Sequence, residues 1–320
     1  MKRMKHLLIA CTALAVAQPA LAQPNYPTKP IRMIVPFPPG GPNDILGRVV
    51  ATNLSQQLGQ QVVVDNRGGA GGIIGAEIAA RSAADGYTIL LSGTASMAIN
   101  PGLHKKLPYD PLKDFAPVSM LGTAPSLLTV HPSQPIKTVK DLIALAQAKP
   151  GKLNFVSAGH GTPPHLAGEL FKNMTGVNMV HVPYKGGGPA LADLLAGQVE
   201  LYFSGISSVL PFVKENRLRG IAVTSAKRTA VLPDTPTVIE SGLAGFEVSN
   251  WYAVAAPAAT SPAIVKRLNA EILTVPELKK RFFELAADPF GSTPEQLAAY
   301  NRSEITKWAR AIKAAGITPE

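Results

Sequence analysis

The sequence predicts an α/β protein that folds as two lobes. Short β-rich runs alternate with helix-like segments along the chain, and this alternation is typical of sheets built with right-handed crossovers. Several strand candidates are apolar on both faces, as expected for strands that helices cover on both sides of a sheet. Two further stretches, described below, indicate that the chain crosses between lobes.

The strand candidates are short runs rich in β-branched and aliphatic residues, and the helix candidates have apolar positions at helical spacing. The strands are expected at residues 31–35, 62–65, 88–92, 118–121, 127–130, 154–157, 179–182, 200–203, 220–224 and 251–255. The helices are expected at residues 44–58, 73–83, 139–148, 165–175, 189–196, 209–216, 262–273, 276–287 and 294–314. Pro262 and Pro294 each follow a capping residue, and proline is favoured at the first position of a helix.

The lobe boundaries follow from two places where the chain has strand character without a neighbouring helix. Thr123-Ala124-Pro125-Ser126 separates two strand-like runs, and a matching return lies at Gly245-Phe246-Glu247-Val248. We expect two hinge strands here, with lobe 1 made of residues 23–123 plus 247–320 and lobe 2 of residues 124–246.

The first 22 residues have the pattern of a secretory signal peptide. A basic segment at residues 2–5 precedes an apolar segment at 7–17, and Ala20-Leu21-Ala22 provides a small-residue cleavage site. A lipoprotein signal at Cys11 is the weaker alternative, because few apolar residues precede that cysteine. We therefore expect cleavage after Ala22 and export to a bacterial periplasm.

The composition excludes several classes of protein. The only cysteine leaves with the signal peptide, so the mature chain has neither a disulfide nor a cysteine nucleophile. Its basic residues, which outnumber the acidic ones, are scattered, and aromatic residues make up only 6% of the chain. A nucleic-acid-binding protein usually concentrates its basic residues beside aromatic stacking platforms. We expect no nucleic-acid partner, no cofactor and a monomer.

Four glycine-rich turns share one layout, in which a strand runs through the turn into the start of a helix. They cover residues 36–44, 64–72, 156–165 and 182–189, and a weaker example covers 91–96. The first turn of a helix has N–H groups without intrahelical partners, and its dipole favours negative charge. Glycine lets a ligand approach that backbone closely. Together the turns predict a cleft for a small carboxylate held mainly by main-chain N–H groups.

Three other readings find less support. A dinucleotide fingerprint would need a glycine where Ile74 stands. His160, His165 and His181 lack the spacing of a metal motif, and we interpret them as a loop donor, a helix-start residue and a strand residue. A hydrolase using Ser92 or Ser157 stays open on spacing alone, since catalytic triads assemble in space.

At these turns the sequence resembles the Bug family, the periplasmic solute-binding receptors of tripartite tricarboxylate transporters. The motifs that carry the resemblance occur in order along nearly the whole chain after the signal: IVPFPPGGPND, NRGGAGG, ADGYTIL, GHGTPPHLAGEL, VPYKGGGPA and LPDTPTVIESGL. The resemblance implies a Venus-flytrap α/β receptor, not an enzyme, that closes on a small organic carboxylate and delivers it to the permease subunits in the membrane. A periplasmic hydrolase or lyase, or a receptor for a two-component sensor, remains the alternative.

By position, the resemblance also implies the residues of the binding site. The lobe 1 wall comprises Phe37, Pro38, Gly40, Gly41, Asn43, Gly69, Ala70, Ser92 and Thr94. The lobe 2 wall comprises Ala158, His160, Thr162, His165, Tyr184 and Gly186. Asp44 is interpreted as a capping residue instead of a ligand contact.

Two departures from the family pattern matter. Ser204 occupies a position where the family commonly has an aspartate able to face an amino group, so we expect Ser204 in the site and an amine-free ligand. This would be a di- or tricarboxylate or an aromatic carboxylate. The segment 270–276 is shorter than usual and should affect only a connection remote from the cleft.

Overall fold

The computed structural model describes residues 26–273, 276–314 and 316–319. The expected signal peptide, its cleavage after Ala22 and part of the short 270–276 segment lie outside these residues. Within the described residues, no helix is both long enough and apolar enough to cross a bilayer.

The described strands form one continuous sheet in two halves, and β4 belongs to both halves. The strands are β1 (Ile31–Val35), β2 (Val62–Asn66), β3 (Thr88–Gly93), β4 (Phe115–Val130), β5 (Asn154–Ser157), β6 (Val180–Pro183), β7 (Leu201–Gly205), β8 (Arg219–Val223), β9 (Ser249–Pro257) and β10 (Asp288–Pro289). The helices are α1 (Pro42–Leu58), α2 (Ile73–Ala80), α3 (Asn100–Leu103), α4 (Val139–Ala148), α5 (Pro163–Thr175), α6 (Gly187–Leu195), α7 (Ile206–Lys214), α8 (Pro262–Leu273), α9 (Pro276–Glu284) and α10 (Pro294–Ala314).

The first half of the sheet has the strand order β2-β1-β3-β9-β4, with β10 pairing on β4. Strand β1 runs parallel to β2 and β3, whereas β9 runs antiparallel to β3 and β4. The second half has the order β6-β5-β7-β4-β8, in which β5 runs parallel to β6 and β7. The parallel strands of each half therefore deliver their following loops to one edge of that half.

Strand β4 corrects one sequence prediction. The runs at 118–121 and 127–130 are parts of a single strand, and residues 123–126 continue it. The first part of β4 pairs with β9, and the part from Ser126 to Val130 pairs with β7 and β8. The register of β4 against β9 shifts near Gly122, whose φ is +156°, shortly before the strand passes from one half to the other. The sequence suggested a break because Pro125 and Gly122 are uncommon inside a strand.

The core lies on both faces of the sheet, as the doubly apolar strands predict. In β1, Met33 and Val35 belong to the hydrophobic cluster on one face, and Ile34 belongs to the cluster on the other. Successive side chains of a strand point to opposite faces, so an all-apolar strand serves two helix layers at once.

Thr224 joins the two crossings between the halves. Its fully buried Oγ1 accepts a hydrogen bond from Ser126 N at 2.9 Å and donates to the Val248 carbonyl oxygen at 2.5 Å. Ser126 lies in the crossing part of β4, and Val248 directly precedes β9. One hydroxyl therefore links both chain segments that run between the halves.

We expect Thr224→Val to lower the free energy of unfolding by about 1 to 2 kcal/mol, because valine keeps the shape of the side chain but leaves the buried Ser126 amide without this acceptor. Urea unfolding followed by circular dichroism measures the loss. Thr306→Val, at an exposed position of α10, is the control and should change stability little. Equal stability of the two variants would contradict the role assigned to Thr224.

Candidate functional site

The glycine-rich turns from the two halves of the sheet face each other and touch. A Cβ atom built on Gly41, in the β1–α1 turn, would lie 3.6 Å from the backbone of Gly187 and Gly188 at the start of α6. A Cβ atom on Gly71 would lie 2.4 Å from the His160 carbonyl oxygen. Backbone therefore meets backbone across the cleft, which is closed in this structure, and at Gly71 only a residue without a Cβ atom permits so close an approach.

An inner cavity of about 560 Å³, including its open mouth, lies behind these contacts. Helix-start residues make up much of its wall, and the rest is mainly aromatic side chains and small polar groups. The lining residues are Pro36, Phe37, Gly41, Pro42, Asn43, Gly93, Thr94, Ala95, Ser96, Ala158, Thr162, Pro163, Pro164, Gly187, Tyr202, Gly205, Asn250, Trp251 and Tyr252. None of these lining residues carries a charged side chain.

Four helices, α1, α5, α6 and α7, begin at this cavity, and none of them has a side-chain cap on its first amides. Their N-terminal N–H groups have no intrahelical partners and carry partial positive charge. The prolines limit which helices can donate: Pro163 and Pro164 have no N–H, so α5 offers little beyond its dipole. Donors to an anion come chiefly from α1, α6 and α7.

Asp44 and Asn66 hold the β1–α1 turn in shape. Asp44 Oδ2 accepts from Gly40 N at 3.0 Å, and Asn66 Nδ2 donates to the Phe37 carbonyl oxygen at 2.9 Å. Burial opposes ionisation of Asp44, but hydrogen bonds from Arg48, Gly40 and Asn66 together lower its pKa. Asp44 thus stabilises the turn from within, through the Gly40 amide that precedes the helix and not through a first-turn amide of α1.

The line along which the glycine-rich turns of the two halves touch is called the seam here. A second, outer cavity lies at this seam and shares Phe37 and Ala158 with the inner one. Its volume is about 770 Å³, including open solvent. Its other lining residues are Gly69, Ala70, Gly71, Gly72, His104, Gly159, His160, Pro183, Tyr184 and Lys185.

Most of the residues expected in the site lie at these two cavities. Phe37, Gly41, Asn43, Thr94, Ala158 and Thr162 line the inner cavity. Gly69, Ala70, His160 and Tyr184 line the outer one. Pro38, Gly40 and Gly186 lie in the seam: a Cβ atom on Gly186 would meet the Pro38 ring, and one on Gly40 would lie 3.6 Å from the Gly188 Cα.

Three expected site residues lie elsewhere. Ser204 is fully buried and lines neither cavity, and its Oγ lies 3.3 Å from Thr129 Oγ1. Ser92 donates to the Ala253 carbonyl oxygen at 3.2 Å and faces a separate crevice beside α10. His165 packs under the turn that precedes its helix and lines neither cavity. From β7, the residues that line the inner cavity are Tyr202 and Gly205.

His165 instead belongs to a cluster with His160 and His181, which the spacing of the sequence did not reveal. Side-chain nitrogens of the three residues lie within 4.8 Å of one another. The rings of His165 and His181 stack at 4.2 Å with their planes 23° apart. A metal ion bound by an imidazole nitrogen lies close to the plane of that ring. Because the two rings are stacked and nearly parallel, a single ion cannot lie close to both planes at once. The cluster as arranged is a packed group of rings.

Burial lowers the pKa of His165 to about 4, and the neighbouring charges of His160 and Lys172 add to the effect. Burial, with His165, His160 and Lys172, lowers the pKa of His181 to about 3. Both rings are therefore neutral near pH 7.

Ser157 and His181 make a contact that resembles a hydrolytic pair. Ser157 Oγ lies 2.7 Å from His181 Nε2, but Ser157 is completely buried and lines neither cavity. Its hydroxyl also accepts from Gly159 N and so shapes the β5–α5 turn. A nucleophile in this position has no route to a solute in the cleft.

Sequence reasoning missed the aromatic floor of the inner cavity, formed by Tyr202, Trp251 and Tyr252. Tyr202 lies in β7, and the other two lie in β9 close to the hinge. The one local signal was that Trp251 and Tyr252 closely follow the expected crossing at residues 245–248. From the sequence alone, aromatic residues in a strand are expected in the hydrophobic core. These three are indeed almost fully buried, although they also line the cavity.

Comparison with known proteins agrees with this architecture. The chain matches the family described as "Tripartite tricarboxylate transporter family receptor" over residues 46–317. It is 40% identical to the protein BugT of Bordetella pertussis over 317 residues, which cover 97% of each chain.

Solved structures resemble it as well. Rpa4515 of R. palustris, with adipate, has a TM-score of 0.89 and 38% identity, covering 92% of this chain and 100% of that one. MatC of Rhodopseudomonas palustris, with bound malate, has a TM-score of 0.84 and 31% identity, covering 90% and 100%. The family match spans most of the chain, and the relatives cover it almost end to end. The chain therefore belongs to the tripartite tricarboxylate transporter receptor family and is a solute-binding receptor with the two-lobed fold of periplasmic binding proteins.

Proposed function

We propose that this receptor captures a small organic carboxylate between its lobes in the periplasm and delivers it to the permease of a tripartite tricarboxylate transporter. The observation that carries the proposal is the inner cavity, where uncapped helix starts meet and no lining side chain is charged. Such a cavity suits an anion held by main-chain N–H groups. Relatives with adipate and with malate support this class of ligand.

The lobes in this proposal are those expected from the sequence, residues 23–123 plus 247–320 and residues 124–246, hinged at β4 and at the chain entering β9. Pairing of β4 with different partners before and after Ser126 supports the first hinge. Ligand binding would favour the closed form because only that form brings donors from both lobes onto one solute.

The protein would act as a monomer, without catalysis and without a cofactor.

A panel of adipate, malate, citrate, benzoate, glutarate and glutamate tests the function. We expect at least one acid to raise the melting temperature at a stoichiometry of one, with the acid recovered unchanged. Disappearance of the acid would favour a periplasmic hydrolase or lyase instead. Capture of the membrane permease, as opposed to a sensor kinase, by the loaded receptor tests the delivery step.

We expect an amine-free ligand. Ser204 does not reach the cavity, but the inner cavity wall has no aspartate or glutamate to pair with an ammonium group. Burying an unpaired ammonium there costs several kcal/mol after relaxation. Glutarate and glutamate differ only by that group, so calorimetry should show glutamate binding at least about tenfold more weakly than glutarate. Tighter binding of glutamate would contradict this expectation.

A further inference from the structure

Two tyrosines meet at the inner cavity, one from each half of the sheet. Tyr202 lies in β7 and Tyr252 in β9, and both line the cavity while being almost fully buried. The hydroxyl of Tyr202 lies 3.3 Å from the position of a Cβ atom on Gly187, the first residue of α6. The phenols therefore lie beside the helix start that supplies main-chain donors.

The hydroxyl of Tyr252 is buried and has no hydrogen-bond partner among the described residues. A buried polar group without a partner is costly, and native proteins keep few of them. Burial raises the pKa of both tyrosines, and Tyr202 raises that of Tyr252 further. Both phenols therefore stay protonated and can each donate one hydrogen bond.

The phenols lie in a cavity wall without positively charged side chains, so their hydroxyls are among the few donors that an anion could use there. The wall of the inner cavity carries no lysine, arginine or histidine, so a carboxylate buried there can find only neutral donors. A carboxylate has about four acceptor positions on its two oxygens. Main-chain amides and two phenols can thus bind the same group without competing.

We propose that the hydroxyls of Tyr202 and Tyr252 donate to one carboxylate of the bound solute, together with the amides of α1 and α6. This inference rests on the proposed function. Because one phenol comes from each half of the sheet, the bound carboxylate links both halves and favours the closed cleft. The site binds a fully desolvated carboxylate. It discriminates against a ligand with a neutral amide in place of that carboxylate, because the amide N–H₂ would lie against the hydroxyl and main-chain N–H donors.

The test compares wild-type protein with Tyr202→Phe, Tyr252→Phe and the double variant. Calorimetric titration uses adipate, malate, citrate, benzoate and glutarate. Phenylalanine keeps the ring and its packing and removes only the hydroxyl. For every acid that binds the wild type, each single variant should bind about tenfold or more weakly, the size expected for a hydrogen bond to a charged group. Tyr87→Phe, whose hydroxyl contacts Thr28 away from the cleft, should bind as the wild type does.

A second measurement separates ligand binding from a structural role. The melting temperature of ligand-free Tyr252→Phe should equal or exceed that of the wild type, because the substitution removes an unpartnered buried hydroxyl. A clear fall would assign that hydroxyl to the fold and overturn the proposal. Unchanged affinity of both single variants would overturn it too, while leaving the receptor function intact. Failure of the wild type to bind any of the acids would instead reject the proposed function and this inference with it.

Discussion

Replacing Gly188 with alanine is expected to weaken solute binding by at least about tenfold while both lobes stay folded. A Cβ atom at this position would lie 2.4 Å from the carbonyl oxygen of Pro39, in the turn that faces it across the cleft. Non-bonded atoms do not approach so closely, and both sides of this contact are backbone. The cleft can close over the new methyl group only if the two turns move apart.

The same substitution favours the local helix, which makes the expected result specific. Gly188 lies in the first turn of α6 and has no left-handed φ, and alanine is better than glycine inside a helix by up to about 1 kcal/mol. The open form should therefore be as stable as the wild type or slightly more stable. Only the closed form carries the clash, so the loss appears in binding and in closure.

Calorimetry with the acid that binds the wild type most tightly measures the affinity, and small-angle scattering measures compaction on binding. Pro189→Ala changes the next residue, which is exposed, and should leave both quantities as in the wild type. Wild-type affinity with full compaction in Gly188→Ala would show that the turns do not need to touch for binding.

Acidification should destabilise the fold between about pH 6.5 and 4 through the histidine cluster. The pKa of His165 is lowered by burial, with His160 and Lys172 contributing, to about 4, whereas an unfolded histidine has a pKa near 6.5. In that window the unfolded chain binds more protons than the folded one, so stability falls as the pH falls. For His165 alone the loss at pH 5 is about 2 kcal/mol, and His181 adds to it.

Urea unfolding at a series of pH values measures this slope. His165→Asn keeps an acceptor near the Gly161 amide, which His165 Nδ1 faces at 3.4 Å, but it does not titrate. The variant should therefore lose about 2 kcal/mol less than the wild type between pH 7 and 5, whatever its stability at pH 7. His131→Asn, at a half-buried position outside the cluster, is the control and should keep the wild-type slope. If the free energy of unfolding of His165→Asn and of the wild type fell equally with pH, the histidine cluster would not be the cause of the acid destabilisation.

Local signals in the sequence predicted the secondary structure and the glycine turns well. Apolar strands such as β1 and the proline-marked start of α10 depend on residues close together in the chain, and the structure confirms both. The two separate strands expected at 118–121 and 127–130 are one long strand, because pairing with β9, β7 and β8 keeps Pro125 within it. Tertiary hydrogen bonds outweighed the local preference of proline and glycine.

By itself the sequence determined the α/β class and the glycine turns at helix starts. Each of these depends on neighbours in the chain. Only the tertiary structure decided that Tyr202 and not Ser204 faces the cavity, that Tyr252 joins it from the other half of the sheet, and that three distant histidines pack together. Which positions of a strand line the cleft depends on where the turns of the other half pack against it, and that packing is set by residues far apart in the sequence.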